Sequence, residues 1–93
     1  MYARIATFEG GSSDIRDAVA TATQDGPPEG LNSKEAYFFA DPDAGKSIFI
    51  VFFETEEDMK AGHEILNAMS PQDAGIGSRA SVDLMEVLAH MTV

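Results

Sequence analysis

The sequence contains no cysteine and no tryptophan, and only six of its 93 residues are lysine or arginine. Without cysteine, disulfides, thiol nucleophiles and zinc–thiolate sites are excluded, which fits a cytoplasmic protein. Sixteen acidic residues give a formal net charge of -10, which repels phosphate backbones and anionic lipid headgroups. We therefore expect neither nucleic acid nor a membrane surface as a partner. The bases are scattered along the chain rather than clustered: Arg4, Arg16, Lys34, Lys46, Lys60 and Arg79.

Long apolar runs are missing as well. No run approaches the roughly 20 residues that span a bilayer, and the first residues, "MYARIATFEGG", lack the order of a signal peptide. These patterns predict a soluble, unprocessed chain. A length of 93 residues and a hydrophobic content of 44% fit one folded domain over residues 1–93. A domain this small buries only about two thirds of its unfolded surface, so we expect no large private core.

The hydrophobic patterns predict six elements in the order βαββαβ. Thr55 is followed three residues later by an acid, which approximates a capping box at the start of a helix. With right-handed crossovers this order predicts a ferredoxin-like α+β fold, in which a four-stranded antiparallel sheet carries both helices on one side. The predicted elements are a strand over 2–8, a helix from a Ser12 or Ser13 cap to about 24, strands over 34–40 and 47–54, a helix from Thr55 to about 69, and a strand from 81 to about 90.

Three short motifs look like ligand sites but lack the context that each site needs. "DPDAGKS", residues 41–47, ends like a P-loop, yet Ala40 stands where the first glycine belongs and a strand follows instead of a helix. Turn chemistry predicts a hairpin there instead. "GIGSRA", residues 75–80, lies between a helix and a strand, the reverse of a dinucleotide-binding order. "HEILN", residues 63–67, has Asn67 where a zinc protease needs histidine. We expect no cofactor and no metal.

The third predicted strand is apolar on both faces. Six successive apolar residues run from Ile48 to Phe53, so alternate side chains point to opposite sides of the sheet. In the second strand Phe38 faces one side, and Tyr37 and Phe39 face the other. Two helices cover only one side of a four-stranded sheet. The sequence therefore predicts an exposed apolar face, which is typical of an association site or a ligand pocket.

Several segments together resemble the antibiotic biosynthesis monooxygenase-like domains of the dimeric α+β barrel superfamily. They are "YARIATFEGG", a loop containing Pro and Gly before the second strand, "DPDAGKSIFIVFFETEEDMKAG" and "SVDLMEVLA". The resemblance covers nearly the whole chain and implies a homodimer in which two sheets face each other as a barrel. It also implies a cofactor-independent monooxygenase that acts on a small hydrophobic or aromatic, quinol-like substrate. The alternative is a non-catalytic domain that binds a small ligand or serves as a structural dimer. Haem degradation is disfavoured, because that branch uses a tryptophan that this chain lacks.

Five residues are candidates for a site. His63 lies at the margin of the second helix's apolar stripe and is a candidate catalytic base near neutral pH, the alternative being a partly exposed structural histidine. Arg4 lies in the middle of a central strand, where a buried arginine needs a partner. We expect Glu86 to pair with it across the sheet, with a purely structural ion pair as the alternative. Tyr2 and Tyr37 are candidates for binding an aromatic substrate, although tyrosines at sheet interfaces commonly supply packing area.

Overall fold

The computed structural model describes residues 1–11, 14–24, 26–69 and 76–92. These residues form an antiparallel sheet with the strand order β2-β3-β1-β4. The order βαββαβ is as predicted, and the architecture is compatible with a ferredoxin-like fold. The elements are β1 Tyr2–Glu9, α1 Ile15–Ala22, β2 Glu35–Asp41, β3 Lys46–Phe53, α2 Glu56–Asn67 and β4 Ser78–Glu86.

The last strand differs most from its prediction. It begins at Ser78 rather than at 81 and ends at Glu86 rather than near 90. The physical reason is its single neighbour: β4 pairs only with β1, and the ladder ends where Tyr2 faces Glu86. An edge strand pairs only as far as its neighbour extends, so β4 ends opposite Tyr2 although its apolar pattern continues.

The start of α1 also differs from the prediction. The helix has Asp14 as its N-cap residue, without a side-chain capping hydrogen bond, and it ends at Ala22 instead of near 24. The predicted capping serines, 12 and 13, lie outside the described residues. The segment 70–75, which follows the predicted end of the second helix and holds the first glycine of "GIGSRA", also lies outside the described residues.

The N-terminus of α2 confirms the predicted cap. The Thr55 hydroxyl accepts a hydrogen bond from the Asp58 amide at 3.1 Å, which satisfies one of the free amides of the first turn. Three acids in that turn complement the helix dipole. The helix buries Met59, Gly62 and Leu66, and with them it packs against the sheet.

The stretch over residues 41–47 is a hairpin turn, as predicted. The Ala44 amide donates to the Asp41 carbonyl at 3.2 Å, and Lys46 pairs with Asp41 across the ladder. Gly45 has a φ of 65°, which favours glycine because it has no Cβ. The turn joins β2 to β3.

The sheet has two unlike faces, since cross-strand partners share a face. We call the side under the helices the helix face: Arg4, Ala6 and Phe8 of β1 and Val51 and Phe53 of β3 are buried on it. We call the other side the open face, and no helix among the described residues covers it. Tyr37, Phe39 and Met85 on the open face are about half exposed, at 49%, 52% and 50%. Its centre consists of Ile5, Ile48, Ile50 and Phe52.

Candidate ligand-binding cavity

A cavity of about 970 Å³ lies between the helix face and the helices and loops that cover it. Its size falls within the range of small-molecule sites. Aromatic rings form part of the sheet-side wall, where Phe38 and Phe49 stack with their centroids 4.3 Å apart. The apolar lining comes from both strands and helices and includes Phe8, Val19, Leu31, Phe38, Phe49 and Leu66.

Two arginines interrupt this apolar lining. Arg4 is 1% exposed and lines the cavity from β1. Its Nε donates a hydrogen bond to Nδ1 of His63 on α2 at 3.1 Å. Its Nη2 is buried and has no hydrogen-bond partner within the described ranges. The Nε of this guanidinium is therefore bound to α2, while its Nη2 is a donor that no described residue uses.

Arg79, near the start of β4, lines the same cavity. Its Nη1 donates to Oδ1 of Asn67 at 2.7 Å, and its Nη2 donates to the carbonyls of Met69 at 3.0 Å and Leu66 at 3.3 Å. These contacts satisfy carbonyls at the C-terminus of α2, where a positive charge complements the helix dipole. The Arg79 Nε is buried, and no described residue accepts a hydrogen bond from it.

No acidic side chain among the described residues forms an ion pair with either guanidinium group. Burial, with a smaller contribution from the Arg79 charge, lowers the pKa of Arg4 to about 10, so Arg4 is still charged at neutral pH. The ion pairs among the described residues join Lys34 to Glu54 and Lys60 to Glu56. Neither arginine of the cavity takes part in one. Within the part of the chain that the structure describes, these two neighbouring arginines therefore have no carboxylate partner.

A β-bulge brings Arg79 onto the helix face. Thr7 faces Ser81, but the next residue of β1, Phe8, faces Arg79, so the register shifts by one residue between them. Because strand side chains alternate, an unshifted ladder would turn Arg79 to the open face. The bases are scattered along the sequence, but Arg4 and Arg79 line the same cavity in the folded protein. Sequence reasoning missed Arg79 as a site residue, since no local pattern announces the bulge.

Of the five predicted site residues, only Arg4 lines the cavity. Tyr37 lies on the open face beside Phe52, with ring centroids 6.2 Å apart. Tyr2 packs at the edge of a buried cluster on the helix face, which fits the packing alternative. His63 accepts the hydrogen bond from Arg4 and does not line the cavity.

The predicted pairing of Arg4 with Glu86 is wrong. Leu84 lies opposite Arg4, and Glu86 lies opposite Tyr2, one step further along the helix face. Glu86 is exposed, whereas Arg4 is buried and hydrogen-bonded to His63. The prediction placed Glu86 near the middle of a strand that runs to about residue 90, but Glu86 is the last residue of β4.

The hydrogen bond from Arg4 restricts what His63 can do. A guanidinium only donates, so Nδ1 of the imidazole must carry the lone pair, and the neutral ring then carries its proton on Nε2. While this bond exists, Nδ1 cannot take a proton from a substrate. In this geometry His63 orients Arg4, and its role as a base remains a prediction.

The described ranges contain no group of three or more histidine, aspartate or glutamate side chains that could hold a metal ion. Within the same ranges, neither helix has the length and apolar character needed to cross a bilayer. The chain matches none of the protein-family models, curated proteins or solved structures compared with it. The case for a function therefore depends on the cavity and on the two sheet faces.

Proposed function

We propose that the protein binds a small, largely apolar molecule in the cavity between its helix face and its helices. The observation that carries this proposal is the cavity itself: about 970 Å³, lined mainly by aromatic and aliphatic side chains, with a buried arginine in its wall. Concave, mostly apolar pockets with a few polar groups are the usual form of small-molecule sites.

A neutral fluorescent probe, N-phenyl-1-naphthylamine, tests this proposal through the rise in its emission on transfer to an apolar site. Ala22 and Ala20 provide a matched pair on α1, since both are exposed but only Ala22 lines the cavity. We expect Ala22→Trp to fill the cavity and remove probe binding, while Ala20→Trp retains it. Equal probe binding by both variants, or none by the unmodified protein, would contradict the proposal.

We also propose that the open face is the interface of a homodimer, with two sheets packed against each other as in the barrel that the family resemblance implies. The centre of this face carries no charge, since β1 and β3 contribute Ile5, Ile48 and Ile50 there. The acidic residues Glu35 and Asp83 lie on the outer strands, and Glu9 lies at the end of β1, away from this centre. Two copies with a net charge of -10 repel each other, so an uncharged apolar centre is the surface on which they can meet.

Sedimentation equilibrium on the unmodified protein and on Ile50→Glu tests the dimer. Ile50 lies between Ile5 and Tyr37 in the middle of the face, so we expect a buried glutamate there to convert a dimer to a folded monomer. Ala61→Glu adds the same charge to an exposed position of α2 and should leave the dimer intact. A monomer in the unmodified protein at tens of micromolar would remove the proposal.

A second candidate is the cofactor-independent monooxygenase, and the uncompensated charge of Arg4 favours it. A buried cation in an apolar cavity stabilises the phenolate form of a bound hydroquinone, and the anion is the form that gives electrons to dioxygen. In the overall reaction one hydroquinone and one O₂ give one hydroxyquinone and one water, so the substrate supplies all four electrons. The base would be His63 after release of Arg4, or water.

Oxygen uptake with a panel of hydroquinones tests this candidate. The oxygenase proposal expects uptake above each compound's own autoxidation and a loss of about 100-fold in Arg4→Met. If His63→Ala oxidises a substrate as fast as the unmodified protein does, the base is not His63. Uptake at the autoxidation rate across the whole panel would remove the oxygenase and leave the binding function standing.

A further inference from the structure

We infer that the ligand of the cavity carries a carboxylate and that Arg4, beside Arg79, binds it. This inference rests on the proposed binding function and gives that ligand a chemical class: an aliphatic or aromatic acid with an apolar body. Three observations carry it, namely unused donors, unbalanced charge and a fixed arrangement of the two arginines.

The unused donors are Nη2 of Arg4 and Nε of Arg79, both buried and without a hydrogen-bond partner among the described residues. Nearly all buried polar atoms in proteins have a partner, and a missing one is costly, more so in a charged group. Both arginines line the cavity. An acceptor that enters the cavity is therefore in the place to complete them.

The charge balance indicates that this acceptor is an anion. Neither arginine forms an ion pair with an acid among the described residues, although acids outnumber bases sixteen to six in the chain. A water molecule would satisfy a donor but would leave two positive charges close together in an apolar site. A carboxylate satisfies the donor and the charge together.

The arrangement of the arginines is set before any ligand arrives. Nε of Arg4 is held by His63 at 3.1 Å, and both terminal nitrogens of Arg79 are held by the C-terminus of α2. Groups that are already positioned lose little conformational freedom on binding. His63 is thus a positioning residue for the anion site.

The rest of the cavity selects the body of the ligand. Phe38, Phe49, Val19 and Leu31 line the cavity as well, and they offer no charge to a second polar group. Lys34 also lines the cavity, but it is exposed and forms an ion pair with Glu54. The exposed acid Glu29 repels additional anionic groups. A single carboxylate on an apolar body fits this pattern, and a polyphosphate or a dicarboxylate does not.

The experiment compares acids with their own neutral alcohols by isothermal titration calorimetry on the full chain. The probes are 2-naphthoic acid with 2-naphthylmethanol, and decanoic acid with decanol below its solubility limit. We expect each acid to bind about 10- to 100-fold more tightly than its alcohol, the factor that a charge-assisted hydrogen bond supplies.

Three variants assign the preference to its residues. Arg4→Met keeps the length and apolar stem of the side chain, and it should bring the affinity for the acid down to that for the alcohol while leaving the alcohol unchanged. Arg79→Lys keeps the positive charge and should retain part of the preference for the acid over its alcohol. It provides a second test of the site if Arg4→Met does not fold. Arg16→Gln removes an exposed arginine of α1 that does not line the cavity, and it should change neither affinity by more than about twofold.

The outcomes separate the two proposals. If acid and alcohol bind with equal affinity, the carboxylate inference is overturned and the binding function stands. If the acid is preferred equally by Arg4→Met and by the unmodified protein, the anion lies elsewhere and the inference is also overturned. If neither kind of probe binds, while the neutral probe of the previous section also fails, both proposals are lost.

Discussion

The two faces of one sheet use similar residues and meet different surroundings. On the helix face Phe53 and Val51 are fully buried under α2, whereas Phe39 on the open face is 52% exposed. The helix face also holds charge inside its apolar surface, through Arg4, while the centre of the open face holds none. A face closed by its own chain can enclose a site, and an uncharged apolar face is suited to a partner.

The largest expected effect comes from removing one phenylalanine from each face and comparing the free energies of unfolding. Phe53→Ala should lower the free energy of unfolding by about 3–5 kcal/mol, since the ring is fully buried and its loss leaves a cavity. Phe39→Ala should cost the isolated protomer less than about 1 kcal/mol, because half of the ring is already in solvent. Urea unfolding at two protein concentrations measures both values, and it separates protomer stability from association. Equal losses in dilute protein would mean that the faces do not differ as described.

A smaller loss of stability is expected from a substitution at Gly62, where α2 lies close to the helix face. A Cβ added to Gly62 would lie 2.5 Å from ring carbons of the buried Phe53. We expect Gly62→Ala to destabilise the protein by about 1–3 kcal/mol, since overpacking outweighs the gain in helix propensity. Ala61→Gly, one residue away on the exposed side, provides the propensity scale of about 1 kcal/mol. A stabilisation by Gly62→Ala of that same size would show that the close contact does not limit the packing.

The charge on the helix face should itself weaken the fold. Replacing Arg4 by methionine removes a buried, unneutralised charge, and we expect a gain of about 1–2 kcal/mol in the free energy of unfolding near pH 8. The pKa of Arg4 falls to about 10 on folding, so above that pH the unfolded state binds more protons and the unmodified protein becomes relatively more stable. The advantage of the variant should therefore stay constant up to about pH 9 and shrink at higher pH.

Chemical unfolding of the two proteins at matched pH values gives this difference directly. Titration of lysines and tyrosines cancels in the difference, because the variants share them all. A variant that is less stable by several kcal/mol would mean that Arg4 holds the fold together through His63 and is not kept for a ligand.

The smallest expected loss of stability comes from the N-cap of α2, the helix that covers the helix face. Thr55→Ala removes the acceptor for the Asp58 amide and should cost about 1 kcal/mol. Thr55→Ser keeps the hydroxyl and should cost a few tenths at most. Thermal unfolding of the three proteins measures the series, and an equal shift for both substitutions would show that the β-branched side chain of Thr55, rather than its cap, is what matters.

Local chemistry allowed most of the elements to be predicted from the sequence. The uninterrupted apolar run of β3 predicted a strand with two apolar faces, and Thr55 with Asp58 predicted the start of α2; both predictions are confirmed. These features depend on neighbours in the chain, so the sequence displays them. The end of β4 depends on where its antiparallel neighbour β1 begins, and its prediction failed for that reason.

The candidate site was predicted only in part, because it is built from distant residues. Arg4 was identified by its charge in the middle of a central strand, but its partner was misassigned. The contact with His63 joins residues 59 positions apart, and Arg79 reaches the same cavity only through a one-residue shift in the ladder. A shift of that kind changes which face a side chain occupies, and no pattern in the sequence specifies it.

The position of β1 between β3 and β4 has a consequence for the order in which the molecule assembles. The β2–β3 hairpin pairs segments that are neighbours in the sequence, whereas β1 pairs with β3 and β4, which follow it at a distance. Pairings between distant segments are slow to form. Arg4 precedes Arg79 in the sequence and is therefore synthesised before it. We expect pulsed hydrogen exchange to show protection in the hairpin before β4, so the two guanidinium groups would come together only in the final step of folding.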